Sequence, residues 1–169
     1  NAIFWQENRG ILKNRYRQST LSDLFWITLH AKGRILAIDY GKKRTGLAVT
    51  DSLKIIPGGL TTVDTKDLMK FLKDYIARED VEKIVIGWPT QLNGCPSENA
   101  ARIANFIKAF EREIPNLPIV RYDERFTSTI AHQVMLDAGL GKKRRQNKAL
   151  VDEISATLIL QSYMGSSMM

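Results

Sequence analysis

The chain has 169 residues, 44% of them hydrophobic, which is enough for one compact domain with its own core and cramped for two. Its 25 Lys and Arg against 18 Asp and Glu give a net charge of +7, a balance that favours a polyanionic partner. No stretch reaches the roughly 20 apolar residues that a membrane-spanning helix needs, and the single cysteine, Cys95, excludes an internal disulfide and a cysteine zinc cluster and fits a reducing cytoplasm.

Residues 1–32 read as an N-terminal extension of unknown role. They hold five Lys and Arg against Glu7 and Asp23, and two of the three tryptophans, Trp5 and Trp26, with no sustained strand or helix period. Asn1-Ala2 reads as a cloning remnant, and the apolar patch Leu24–Leu29 is too short and interrupted for a signal peptide. A domain is expected over 33–165, followed by a short tail, 166–169.

From Gly33 onward the pattern is regular. Ile35–Ile38 and Leu47–Val49 are β-rich runs joined by a basic turn, Gly41-Lys42-Lys43-Arg44-Thr45-Gly46, and read as a hairpin. A third strand is expected around Gly59–Val63. Leu68, Met69, Leu72, Tyr75 and Ile76 recur at helical spacing, with Asp64 or Thr65 as N-cap. Lys83–Gly87 is a continuous apolar strand that runs into a turn-rich loop, Trp88–Pro96. A second helix starts near Ser97, buries Ala100, Ile103, Ala104 and Ile107, and ends before Pro115. Ile119–Tyr122 is a fifth strand that delivers Asp123. Then come a helix from Thr127 to Ala138 stopped by Gly139, a loop Gly141–Lys148 with five positive charges in eight residues, and a last helix, Ala149–Met164. Its apolar face is marked by Val151, Ile154, Leu158 and Ile159, with Asp152 in the first turn. Three meandering strands followed by alternating strands and helices predict an α/β domain, a mixed sheet with helices on both faces.

Three acids stand out in this frame. Asp39 and Asp123 each follow an apolar strand, and Asp152 opens the last helix. If the two strands are neighbours, their ends lie roughly 5 Å apart and the helix N-terminus can bring Asp152 alongside. Carboxylates held that closely repel unless a cation such as Mg²⁺ or Mn²⁺ joins them. Spacing alone leaves the plainer account open: Asp39 anchoring its turn, Asp152 favoured by the helix dipole, and Asp123 paired with Arg125.

Four segments in order carry a resemblance: Ile38-Asp39-Tyr40-Gly41 with Arg44-Thr45-Gly46, Gly87-Trp88-Pro89 with Asn93-Gly94, Asp123-Glu124-Arg125-Phe126-Thr127-Ser128, and Val151-Asp152-Glu153-Ile154-Ser155-Ala156. Together they resemble the YqgF-type family of bacterial ribonuclease H-like proteins, over about Gly33 to Met164. The resemblance implies a ribonuclease H-like five-stranded sheet, metal-dependent hydrolysis of nucleic-acid phosphodiesters, and maturation of the 5′ end of 16S ribosomal RNA. It also implies Asp39, Asp123 and Asp152 as the acidic triad.

One departure from the wider superfamily is the missing glutamate at the end of the fourth strand, where this chain reads Ile86-Gly87-Trp88-Pro89. Glu98 is the nearest downstream acid and is expected to favour its helix N-terminus. Glu124 alternates away from Asp123, and Asp51 reads as a turn former. His30 lies in the extension, and His132 reads as a surface or packing residue. The candidate phosphate contacts are Lys42, Lys43 and Arg44 in the hairpin, Arg125 beside Asp123, and Lys142, Lys143, Arg144 and Arg145 before the last helix. The expected partner is nucleic acid, either ribosomal precursor RNA, with ribosomal particles, or branched DNA. Three readings therefore compete: a two-metal nuclease, a binding module without turnover, and a phosphate-loop ATPase of the actin or sugar-kinase type. Length counts against the last, which needs two such domains. Monomer and homodimer both remain open.

Overall fold

The structure is a computed structural model and describes residues 33–89, 98–123, 127–139 and 141–167. These belong to one compact unit, Gly33–Met169. Its strands are β1 (Arg34–Tyr40), β2 (Arg44–Thr50), β3 (Pro57–Asp64), β4 (Val81–Trp88) and β5 (Ile119–Asp123). The helices are α1 (Leu68–Ile76), α2 (Glu98–Glu113), α3 (Thr127–Asp137), α4 (Lys142–Arg145) and α5 (Lys148–Ser167). The extension 1–32 lies outside the described residues.

The five strands form one sheet in the order β3-β2-β1-β4-β5. β1 pairs antiparallel with β2 and β2 with β3, while β1–β4 and β4–β5 are parallel. This is the mixed sheet expected from the element order, in the ribonuclease H-like arrangement. β1 and β4 read as unbroken apolar runs because both of their faces are covered. On one face Leu36, Ile38, Ile84 and Ile86 pack against Leu68, Leu72 and Tyr75 of α1 and Ile103, Ile107 and Phe110 of α2. On the other, Ile35, Ala37, Ala48 and Val85 meet Ala156, Ile159, Leu160 and Met164 of α5. Ala37, Ala48 and Ala156 in that second layer leave room for α5 to approach the sheet closely.

Several local expectations change. α1 is preceded by a single 3₁₀ turn, Thr65–Asp67, and neither Asp64 nor Thr65 caps it through a side chain. The Thr65 hydroxyl instead donates to the Gly41 carbonyl at 2.8 Å, and its N–H donates to the Lys43 carbonyl at 3.0 Å. Thr65 thereby ties the basic hairpin turn to the body of the domain. The basic run before the last helix is not all loop, since Lys142–Arg145 form a four-residue helical turn. α5 presents a face rotated from the one its apolar residues suggest. Of the expected face Ile159 is buried, but Val151, Ile154 and Leu158 are only part-buried, whereas Ser155 and Ala156 are buried.

Candidate functional site

Asp39 is the penultimate residue of β1. Strand alternation puts it on the same side as Ile35 and Ala37, the side that α5 covers. Its partner across the β1–β2 ladder is Gly46, with Cα atoms roughly 4.5–5.5 Å apart. A Cβ on Gly46 would fall 1.9 Å from the Asp152 carbonyl oxygen and 2.3 Å from its carbonyl carbon. The backbone of α5 therefore rests on the bare face of Gly46, and Asp152 is placed on the α5 side of the sheet next to the row that holds Asp39. Gly59 makes a second close approach, since a Cβ there would meet the Glu153 carboxylate. The Thr62 hydroxyl donates to the Ala149 carbonyl at 2.8 Å, fixing the start of α5 against β3.

The expected first-turn position of Asp152 is not observed. α5 begins at Lys148, and Asn147 accepts hydrogen bonds from Ala149 N (3.1 Å) and Leu150 N (3.4 Å), so the helix is capped one residue earlier than the sequence pattern suggests. Asp152 then lies beyond the first turn, where the helix dipole gives a carboxylate little support. Its stabilising partner is Arg44, whose Nε donates to Asp152 Oδ2 at 2.9 Å across 108 positions of sequence.

Beside this pair is a cleft of about 510 Å³ lined by Arg44, Arg145, Gln146, Lys148, Val151 and Asp152. It joins two of the sequence's basic segments: the hairpin contributes Arg44, and the run before α5 contributes Arg145. Lys148 also lines the cleft, although the spacing argument did not single it out. Lys42 and Lys43 in the turn, and Lys142, Lys143 and Arg144 on α4, are exposed.

Asp123 lies elsewhere. β4 intervenes between β1 and β5, so the two strands are roughly 10 Å apart, twice the 5 Å expected if they were neighbours. Asp123 is exposed at the end of β5 and pairs in register with Trp88. Its neighbour Tyr122 packs on the α5 side against Tyr163, so regular alternation turns Asp123 toward the other face. Among the described residues, no three His, Cys, Asp or Glu side chains gather closely enough to hold a metal ion. Glu124 and Arg125, the loop with Cys95, and the side chains of Glu98 and His132 fall outside the described residues. Asp39 and Asp152 stand on the same side of the sheet, Asp152 in an anion-accepting cleft, and as hard carboxylate donors they are of the kind that suits Mg²⁺ or Mn²⁺. Such ions are commonly held by one or two carboxylates, with water and substrate phosphate completing the shell.

At the same strand ends, on the α2 side, the Arg121 guanidinium stacks 4.3 Å from the Trp88 ring. Tyr40 packs 5.1 Å from Phe106, and its carbonyl accepts from Asn99 Nδ2 at 2.8 Å. Burial raises the Tyr40 phenol above its usual pKa, and Arg102 partly offsets this. Asp51 forms a turn, as expected. Its carboxylate accepts from the N–H groups of Ile56, Ile55 and Leu53, and those bonds hold its pKa below the usual carboxylate range.

A ribonuclease H-like α/β domain with an acidic pair and a basic cleft at the carboxyl end of its first strand is thus defined by fold and site together. Residues 33–166 match the model of the family described as RuvX: Holliday junction resolvase, and the chain belongs to that family. It is 60% identical over 133 residues to a Phocaeicola vulgatus protein named "Putative pre-16S rRNA nuclease", covering 79% of this chain and 96% of that protein. A Flavobacterium johnsoniae protein of the same name is 58% identical over 133 residues, with the same coverage. Among solved structures, T. thermophilus RuvC in complex with Holliday junction substrate aligns with a TM-score of 0.43 at 19% identity, covering 79% of this chain and 97% of that one.

Proposed function

We propose that this chain is a metal-dependent endonuclease that hydrolyses nucleic-acid phosphodiesters, and that its substrate is the 5′ precursor segment of 16S ribosomal RNA. The observation that carries the reading is the convergence, from segments about 100 residues apart, of Asp152 with Arg44, Arg145 and Lys148 in one cleft, beside the strand position opposite Gly46 that Asp39 occupies. Its relatives of 58 and 60% identity carry the pre-16S rRNA nuclease name. In this reading Asp39 and Asp152 hold Mg²⁺ or Mn²⁺, and Asp123, the third acid of the expected triad, is tested beside them. Bound there, such an ion would supply an activated water and offset charge building on the phosphate. Arg145 and Lys148 hold a phosphate beside the acids, and Lys42, Lys43, Lys142, Lys143 and Arg144 follow the backbone to either side. These contacts read charge and not base sequence. A protein acting on ribosomal precursors would work in the cytoplasm, and that location belongs to the same proposal.

The family's description favours a second reading, cleavage of four-way DNA junctions. Both are tested by incubating the protein with Mg²⁺ or Mn²⁺ and either a 16S precursor 5′ fragment or a four-way junction, beside Asp39→Asn, Asp123→Asn and Asp152→Asn. The expected result is cleavage of the RNA fragment by the wild type. Each variant should lose more than the roughly 10–100-fold that removal of an outer-shell partner costs. Equal cutting by wild type and variants, or none in either metal, refutes the nuclease reading. Cutting of the junction alone moves the substrate to branched DNA.

A further inference from the structure

The Arg44–Asp152 pair poses a conflict within that reading, because a carboxylate meant for a divalent ion is already held by a side-chain cation. We propose that Arg44 is a displaceable resident cation: it neutralises Asp152 until a nucleic-acid phosphate enters the neighbouring cleft and draws the guanidinium away, opening Asp152 to the metal. The inference rests on the metal reading of Asp152 and adds an order of events, with backbone phosphate first and full metal loading second.

Three observations support it. The pair uses Arg44 Nε at 2.9 Å, which is one of the five N–H donors on the guanidinium fork. Its remaining donors are available in kind for a phosphate, the anion that Arg matches bidentately. Next, both partners are part-exposed, with side-chain accessibilities of 36% for Arg44 and 26% for Asp152, and ion pairs this wet exchange partners at little cost. Finally, Arg44 and Asp152 line the same cleft as Arg145 and Lys148, so an anion bound there meets Arg44 without any backbone movement.

The fixed and movable parts are also separable. Asp152 is pinned by the seating of α5 on Gly46 and by the Asn147 cap. Arg44 stands at the first position of β2, beside the turn, with a long side chain that can swing. Displacing Arg44 therefore changes the charge at Asp152 while leaving its position intact. Linkage makes the effect reciprocal: the factor by which phosphate raises metal affinity is the factor by which metal raises nucleic-acid affinity.

The test is calorimetric titration of Mn²⁺ into the full chain, with and without a single-stranded oligonucleotide, in the wild type and in Arg44→Met, Arg44→Gln, Arg145→Met and Asp152→Asn. Without oligonucleotide, both Arg44 variants should bind Mn²⁺ roughly fivefold or more tightly than the wild type. Arg145→Met removes the same charge from the same cleft without touching the pair, and should stay within about twofold of the wild type. Adding oligonucleotide should strengthen Mn²⁺ binding to the wild type by a factor that shrinks at least fivefold in the Arg44 variants. Equal Mn²⁺ affinity in wild type and Arg44 variants, or equal strengthening by oligonucleotide, overturns the proposal and leaves the metal reading standing. Arg145→Met matching Arg44→Met overturns it as well, reducing the effect to general charge. Unchanged Mn²⁺ binding by Asp152→Asn removes the metal reading and the proposal together.

Discussion

Replacing Gly46 by alanine inserts one methyl group where α5 sits on the sheet. That methyl would lie 1.9 Å from the Asp152 carbonyl oxygen, 2.3 Å from its carbon and 3.0 Å from Glu153 N. All three atoms are backbone, so no rotamer change relieves the clash. Ordinary contact begins near 3.4 Å, so the start of α5 must withdraw by about 1.5 Å. Overpacking of this kind costs about 1–3 kcal/mol. For a unit of this size, that lowers the melting temperature by roughly 3–12 °C. A shift of about 1 Å at a reacting group can cost about 100-fold in rate, so cleavage should fall by that order even in protein that stays folded. The matched control is Gly58→Ala, where the nearest atom, Val49 O, is 4.0 Å from the new carbon. There the loss of chain entropy in the unfolded state should leave stability unchanged or raised by about 0.4–1 kcal/mol. Thermal melts by circular dichroism and initial cleavage rates measure both effects. Gly46→Ala melting and cutting like Gly58→Ala would refute the close seating of α5 and with it the account of how Asp152 is placed.

Thr65→Val removes the hydroxyl that donates to Gly41 O and lies 2.9 Å from the buried Thr45 hydroxyl, and should cost about 1–3 kcal/mol in denaturant unfolding; a loss below about 0.3 kcal/mol would mean the turn is held by other contacts. Arg145→Met and Lys148→Met should each weaken nucleic-acid binding at every sequence and flatten log Kd against log salt by about 0.7–0.9 per charge, whereas an unchanged slope removes that residue from the phosphate path. The depressed pKa of Asp51 means that its charged form is the one the fold favours, so its contribution is present above the unfolded value near 3.9 and is lost as pH falls through the lower folded value. Melting curves from pH 6 to 2.5 should show the advantage of wild type over Asp51→Asn shrinking below about pH 4; a constant difference would refute the assignment.

The strands and their covering helices were legible because burial on two faces leaves a continuous apolar run, as in Ile35–Ile38 and Ile84–Ile86. The face of α5 was legible only in part. Of Val151, Ile154, Leu158 and Ile159, to which apolar periodicity points, only Ile159 lies in the seat, where Ser155 and Ala156, whose small side chains carry almost no hydrophobic signal, join it. Gly46 was missed for the same reason. It drew notice as part of a turn, and its function lies in the side chain it lacks, which becomes apparent only when residues 46 and 152 are placed in contact. Asp39 and Asp152 could be picked as acids at element ends. Their closeness depends on strand order, which local pattern does not encode, and the same order sets Asp123 two strands away. The basic runs were visible as charge, but only tertiary structure separates Arg44, Arg145 and Lys148, which line the cleft, from neighbours of identical type outside it.

Asp39 and Asp152 are joined by a helix that closes on the first strands from the far end of the domain. A ribosome adding about 5–20 residues per second makes these two acids roughly 6–23 s apart. Throughout that interval the nascent chain carries half of an acidic pair and a hairpin cation with no carboxylate to hold. On the proposed reading, an enzyme that cuts ribosomal RNA is thus assembled on a ribosome in a form that lacks one of the two acids assigned to its metal. On that reading, release of the last helix completes the site, and a chain that ends before α5 would leave the ribosome that made it uncut.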